Sequence, residues 1–313
     1  MLYGKYTFCC RLEDDANLPP FKGSTVRGVF GRALKKVVCA LKLKDCNDCL
    51  LQKECLYSIV FETPTAAFST RSVPKSSPPH PFVIEPPLMS DTTLKKGDLL
   101  NFHLLLFGEI NKKLPYFIYA FNEMGEIGIG KKINGKRSRF FLEKVTSNNF
   151  TVYSMSESTL HMPEEFPVLE LKNRNELPTS DGSIIIHLKT PLRLKFKNRL
   201  TAELPFHIFV RSMLRRISSL YECYGNGEPQ IDYRSLVQKA QDIQSRNVNL
   251  TWFDWKRYSS RQGIGMQMGG IVGSVIYQGN LSEFMPLIDM CEILHVGKQT
   301  TFGLGQYKTE LLQ

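Results

Sequence analysis

From Tyr3 to Leu12 hydrophobic and polar residues alternate, YGKYTFCCRL, the period of a strand with one buried face. The segment after it, LPPFKGSTVRGVFGRALKKVVCALK, reads as a turn running into a helix that starts near Ser24, with Ser24 as its cap. Strand patterns return in DLLNFHLLLFG and in FTVYSM, and LPYFIYAFNEMG between them predicts a second helix. TRSVPKSSPPHPFVIEPP is rich in proline and serine, so it is extended or looped. An acidic, proline-containing connector, Met162 to Leu177, separates these elements from a second series. That series opens at about residue 180 with the alternating SIIIHLKTPLRLKF, then an amphipathic helix, LPFHIFVRSMLRRISSLYECYG. A strand and turn pattern follows in VNLTWFDWKRYSSRQGIGMQMGGIVGSVIYQGN, and LSEFMPLIDMCEILHVG predicts the last helix.

Both series have one plan: strand, basic helix, strands, second helix, glycine-rich closing segment. GEIGIGKKINGKRSRFFLEKV closes the first and HVGKQTTFGLGQYKTE the second. The order fits an α+β fold built from two tandem ferredoxin-like modules. The expected domains are residues 1–160, carrying a four-cysteine loop at 39–55, and residues 178–313, ending in a glycine-rich loop at 295–305.

Composition narrows the partners. The chain has 313 residues, enough for two cores. Forty basic against thirty acidic residues leave a net charge of +10, which points to a polyanion; a merely basic soluble protein is the other reading. There is no run of about twenty apolar residues for a membrane helix, and the N-terminus, MLYGKYTFCCRLEDD, has acids where a signal peptide is apolar. A cytoplasmic protein without a membrane partner is therefore expected. There, its eight cysteines serve as reduced thiols, metal ligands or catalytic groups rather than a disulfide framework. Cys39, Cys46, Cys49 and Cys55 are spaced C-x6-C-x2-C-x5-C, which suits a structural zinc whose four sulfurs leave no open position for substrate. In the competing reading Cys39 packs as a small apolar residue and the other three hold nothing.

Several clusters carry chemistry suited to a nucleic acid. Lys131, Lys132, Lys136, Arg137 and Arg139 form a dense basic patch that could hold a phosphate backbone or stand as a solvated hairpin. In TWFDWKRYSSRQ, Arg257, Tyr258 and Arg261 are read as contacts, and Trp252 and Trp255 are expected in the core. Arg211, Arg215 and Arg216 line the long helix, as RNA contacts or as a solvated face. In the terminal loop Gly297, Gly303 and Gly305 can turn amides toward phosphate, while Lys298, Thr300 and Thr301 add charge and hydroxyls. Among the six histidines, His103 and His187 lie in strand patterns, exposure accounts for His80 and His161, and His207 starts a helix. His295 enters the glycine loop beside Lys298 and is the catalytic candidate among them.

The ending HVGKQTTFGLGQYKTE, the preceding DWKRYSSRQGIGMQMGGIVGSVIY, FKGSTVRGVFGRAL near the N-terminus and TPLRLKFKNRL in the middle resemble the CRISPR repeat-processing endoribonucleases, the Cas-six family of RAMP proteins. The resemblance implies two tandem RRM-like domains that bind CRISPR repeat RNA and cleave pre-crRNA within the repeats. It further implies no catalytic cofactor, and ends that are a 2′,3′-cyclic phosphate and a 5′ hydroxyl. A non-catalytic RAMP-type subunit that holds crRNA in an effector complex is the alternative, with effector proteins or a second copy as further partners. Many members use a histidine near the first helix, yet this chain has none between Met1 and Pro79; Lys22, Arg27 and Tyr57 occupy that region. The candidate catalytic set is accordingly His295, Lys298, Tyr258 and Lys22, with Arg27 added to the RNA contacts.

Overall fold

The computed structural model describes residues 1–42, 44–65, 77–89, 91–148, 150–172, 182–196, 199–200, 202–259 and 264–312. Arg261 and parts of the proline-rich stretch and of the connector, residues 66–76 and 173–181, lie outside them. The chain divides into two compact units, Met1–Val168 with Glu222–Asn226, and Leu169–Tyr221 with Gly227–Gln313.

The first unit contains β1 (Tyr3–Leu12), α1 (Gly23–Val38), β2 (Phe82–Glu85), β3 (Leu99–Phe107), α2 (Leu114–Ile127), the short pair β4 (Ile129–Ile133) and β5 (Lys136–Ser138), β6 (Phe140–Ser147), β7 (Phe150–Ser154) and β8 (Thr159–Leu160). Its sheet runs β8-β7-β6-β1-β3-β2, antiparallel throughout. β1 buries every second residue, sending Tyr6, Phe8, Cys10 and Leu12 into a core shared with α1 and α2. Phe8 stacks on Phe121 at 3.9 Å between ring centres, and Phe30 of α1 meets Phe61, Phe82, Phe117 and Phe121. Burying one such side chain is worth about 1.5–3 kcal/mol. α1 starts one residue earlier than expected: Lys22 holds the cap position without a side-chain bond, and Ser24 lies inside the first turn.

The second unit contains β9 (Gly182–Leu192), all but the last three residues of α3 (Phe206–Tyr224), α4 (Tyr233–Lys239), the long hairpin β10 (Gln244–Ser259) and β11 (Ile264–Gly279), α5 (Met285–Leu294) and β12 (Tyr307–Leu312). Its antiparallel sheet runs β10-β11-β9-β12. Ile184 and Ile186 of β9, Phe209, Met213 and Ile217 of α3, and Ile288 of α5 are fully buried. Tyr277 and Tyr307 are buried too, and their hydroxyls donate to the carbonyls of Leu204 at 2.7 Å and Ile288 at 2.6 Å, which removes the penalty of hiding them. The strand expected over 183–196 ends at Leu192, because the chain beyond it turns to bond the terminal loop.

Leaving aside the additions β4, β5, β7, β8 and α4 and the two-residue strands Ala16–Asn17, Thr93–Leu94, Lys195–Phe196 and Arg199–Leu200, each unit runs strand, helix, strand, strand, helix, strand. In both sheets the strands lie in the order fourth, first, third, second. The fold is α+β with antiparallel sheets. Among the described residues no helix is long and apolar enough to cross a membrane.

Candidate functional site

In the second unit α5 stops at Leu294, and His295 turns the backbone to φ 59°, ψ 156°. That region favours glycine, and a side chain held there stores about 1–3 kcal/mol of strain. In the first unit α2 ends at Gly128 with φ 74°, ψ 162°, the same turn at the same place. Two residues on, Gly130 and Gly297 also have positive φ, 77° and 91°. The closing segments of the two units therefore begin with the same turn, with histidine in one where the other has glycine.

The glycines of the terminal loop make room for backbone. A Cβ on Gly305 would stand 1.8 Å from the Val296 carbonyl oxygen, and one on Gly297 would stand 2.5 Å from that of Arg193. The loop is laced to the end of β9: the amides of Gly305 and Lys298 donate to Pro191 and Arg193, the latter at 2.8 Å. The Thr190 hydroxyl donates to the Gly303 carbonyl at 2.7 Å and accepts from the Gln306 amide at 2.9 Å. Gly303, at φ 80°, closes a turn over Thr300–Phe302, in which Thr300 and Thr301 are buried. Most of the amides expected to face phosphate thus bond the protein, and both threonine hydroxyls lie inside. Lys298 is the exposed cation of the loop.

His295 has no exposed surface. Its Nδ1 lies 3.1 Å from the Leu304 carbonyl, which can only accept, so Nδ1 carries a proton and the ring spans the loop from inside. Buried Arg216 donates Nε and Nη2 to the Leu294 carbonyl at 3.2 and 3.1 Å, a cation at the negative end of α5. This separates Arg216 from Arg211 and Arg215, which are exposed one helical turn apart.

The basic patch of the first unit is the hairpin β4–β5. Asn134 and Gly135, both at positive φ, form its two-residue turn, the pairing that suits a right-twisted hairpin. Lys131, Lys132 and Lys136 are exposed. The Arg137 guanidinium bonds the Gly130 carbonyl, and Arg139 lies 3.6–3.9 Å from carboxylates of Glu13, Asp14 and Glu126. Among the described residues, the lysines of the patch have no carboxylate or carbonyl drawn on them. Lys22 is also committed: it is 1 % exposed, and its Nζ donates to the Met89 carbonyl at 2.7 Å. Desolvation draws its pKa down, and Asp91 opposes the shift.

Trp252 was expected in the core and is 37 % exposed, because β10 is an edge strand. Its indole N–H donates to Asp254 at 2.9 Å, and the ring lies across Gly269, where a Cβ would come within 2.6 Å of it. Phe253 and Trp255 stack at 5.8 Å. Arg257 and Tyr258 belong to β10, with side chains outside the described set.

One grouping went unread in the sequence. After the cysteine loop a π-helical turn, Ser58–Glu62, ends at Thr63 in the left-handed region, φ 49°. The Thr63 hydroxyl lies 2.5 Å from Nδ1 of half-buried His80. On the same turn Phe61 and Tyr57 stack, with Arg27 of α1 over Phe61 at 5.0 Å and Lys35 over Tyr57 at 5.3 Å. His80 is far from α1 in sequence, so spacing could not pair them; the rare π turn does. Beside this group lie the four cysteines, each with a free thiol. Burial raises the Cys46 thiol, Lys35 lowers it, and Glu62, Cys55 and Cys39 raise it further.

Residues 186–307 match the family model of the CRISPR-associated endoribonuclease Cas6, and residues 1–165 match AF_1859_N, described as an N-terminal domain. An uncharacterized protein of Archaeoglobus fulgidus is 25% identical over 304 residues, 93% of this chain and 92% of that one. Thermus thermophilus Cas6 superposes with a TM-score of 0.55 at 13% identity, over 99% of this chain and 98% of that one. A partial Cas6-RT-Cas1–Cas2 complex gives 0.60 at 13% identity, over 99% of this chain and 46% of that chain, so the present chain spans about half of its length. At such identities the structural likeness concerns the fold alone.

Proposed function

We propose that the chain is a member of the CRISPR-associated endoribonuclease Cas6 family, and that it binds CRISPR repeat RNA and cleaves pre-crRNA within the repeats, without a catalytic metal, leaving 2′,3′-cyclic phosphate and 5′-hydroxyl ends. The match of residues 186–307 to the Cas6 model is the observation that carries the reading. The strand order common to both sheets supports taking each unit as a ferredoxin-like, RRM-like domain, residues 1–160 and 178–313. Effector-complex proteins and a second copy of the chain are the protein partners that go with this reading.

Cleavage of this kind needs a group to take the 2′ proton, a group to protonate the leaving 5′ oxygen, and cations around the phosphorus. A placed acid or base contributes about 10² to 10⁴ in rate. In the second unit the exposed Lys298 is the cation we assign to RNA; His295 acts as a positioning residue by holding Leu304 from within. Tyr258 keeps its proposed place near the RNA. In the first unit Lys22 organises the entrance to α1, where its buried Nζ is held by the Met89 carbonyl. His80, oriented by Thr63, is the imidazole we add to the set.

The burial of His295 and Lys22 favours the second reading, a RAMP-type subunit that holds crRNA without cutting it. Incubating the purified protein with repeat RNA in EDTA separates the two. Cutting at one site per repeat supports the nuclease, and tight binding of intact RNA supports the subunit. Within the nuclease reading, His80→Ala should stop cleavage and keep binding. If His295→Ala stops it instead while the loop stays folded, His295 is the catalyst.

A further inference from the structure

The cysteine loop contradicts the usual rule of what goes inside. Among the described residues between Cys39 and Cys55, the partly shielded side chains are the four cysteines and Gln52; Leu41, Leu50 and Leu51 face solvent, Leu50 at 88 % exposure. Thiols are in and leucines are out. Both ends of the loop are fixed: Cys39 caps α1, with its amide on the Lys35 carbonyl, and the Cys55 carbonyl accepts from Ile59 as the π turn begins. In the middle, Cys46 and Cys49 belong to one tight turn, Cys49 N–H to Cys46 carbonyl at 3.4 Å. A segment of this length with no apolar core has nothing of its own to offset the entropy of being ordered.

We propose that Cys39, Cys46, Cys49 and Cys55 bind one zinc-class divalent ion, which closes the loop and locks α1 to the turn Ser58–Glu62. Four thiolates form a closed tetrahedral set, so the ion is structural and takes no part in RNA chemistry. Such a centre carries two negative charges, and the sequence surrounds it with Lys35, Lys42, Lys44 and Lys53. An iron–sulfur cluster uses the same ligands. The outward leucines leave the thiols without an apolar shell to shield a redox cluster, whereas a redox-inert ion needs none. Among the described residues no three His, Cys, Asp or Glu side chains already stand at metal-holding spacing. Binding therefore draws the thiols together within a loop whose ends stay fixed, and the ion's free energy becomes folding free energy of the loop.

The test is metal content and thiol reactivity of the full chain, purified without chelator or added metal. About one zinc per chain is expected, retained in Cys9→Ser and Cys223→Ser and lost in Cys46→Ser and Cys49→Ser. Exchange with cobalt(II) should give the visible bands of a tetrahedral tetrathiolate. In case the variants fail to fold, wild-type protein is labelled natively with a thiol reagent; a chelator should speed labelling of these four cysteines about tenfold or more. Trace zinc with unchanged labelling overturns the proposal. So does zinc retained in both Cys46→Ser and Cys49→Ser, a Cys46–Cys49 disulfide in reduced-buffer preparations, or a brown chromophore with labile sulfide. None of these readouts depends on RNA cleavage, so the site and the proposed activity stand or fall separately.

Discussion

At the scale of single residues, the tightest constraint is Gly305. Its φ of 74° and the Val296 carbonyl 1.8 Å from the would-be Cβ leave no space for a methyl group. Gly305→Ala should destabilise the second unit by about 2–4 kcal/mol, measured by urea unfolding, and should release the loop from β9. His103 gives a pH-dependent counterpart in the first unit. Desolvation lowers its pKa, Glu85 opposes the shift and Lys5 adds to it, while its Nδ1 lies 3.0 Å from the Thr7 hydroxyl. The unfolded chain binds this proton at about pH 6.5 and the folded chain resists it until lower pH. The His103 contribution is therefore level above about 6.5 and falls as the pH drops through that value toward the folded pKa. Urea midpoints of His103→Gln should show a shallower acid slope than wild type over that window; an identical slope contradicts the assignment.

The elements carry these residues into function by ending where they do. α5 ends on a carbonyl held by Arg216, and β9 ends early to hold the loop that follows α5. Arg216→Met leaves that carbonyl without its buried cation and should cost about 2–3 kcal/mol, read as a lowered thermal midpoint. The hairpin β4–β5 should act differently, since its lysines are exposed and bear no structural load. Replacing Lys131, Lys132 and Lys136 together with alanine should leave stability within about 0.5 kcal/mol. RNA affinity should fall, and its salt dependence should flatten by about 2 in the log–log slope, three contacts at roughly 0.7 each. An unchanged slope would mean that the hairpin is merely solvated.

For the whole molecule, the element plan was readable in the chain because β1, α2, α3 and α5 each have an unambiguous period. The strand order within each sheet was not readable, since alternation says which face is buried and nothing of which strand lies alongside. The site was legible in outline and misjudged in detail. Glycines at 297, 303 and 305 signalled a constrained loop, but sequence could not distinguish a backbone approaching a ligand from a backbone approaching Arg193 and Val296. Exposure was equally hidden for Trp252, whose edge-strand position follows only from the sheet order. His80 was set aside as a loop residue, because its link to α1 runs through a π turn that no periodicity announces.

The proposed cleavage of repeat RNA proceeds by attack of the adjacent 2′ hydroxyl. The most direct test is the chemistry of the product ends after incubation with repeat RNA in excess EDTA. One cut per repeat is expected, with a 5′ fragment ending in a 2′,3′-cyclic phosphate that acid opens and a 3′ fragment that a kinase labels without prior phosphatase. RNA that is bound and recovered intact, or cleavage that stops in EDTA and leaves a 5′ phosphate, would contradict it.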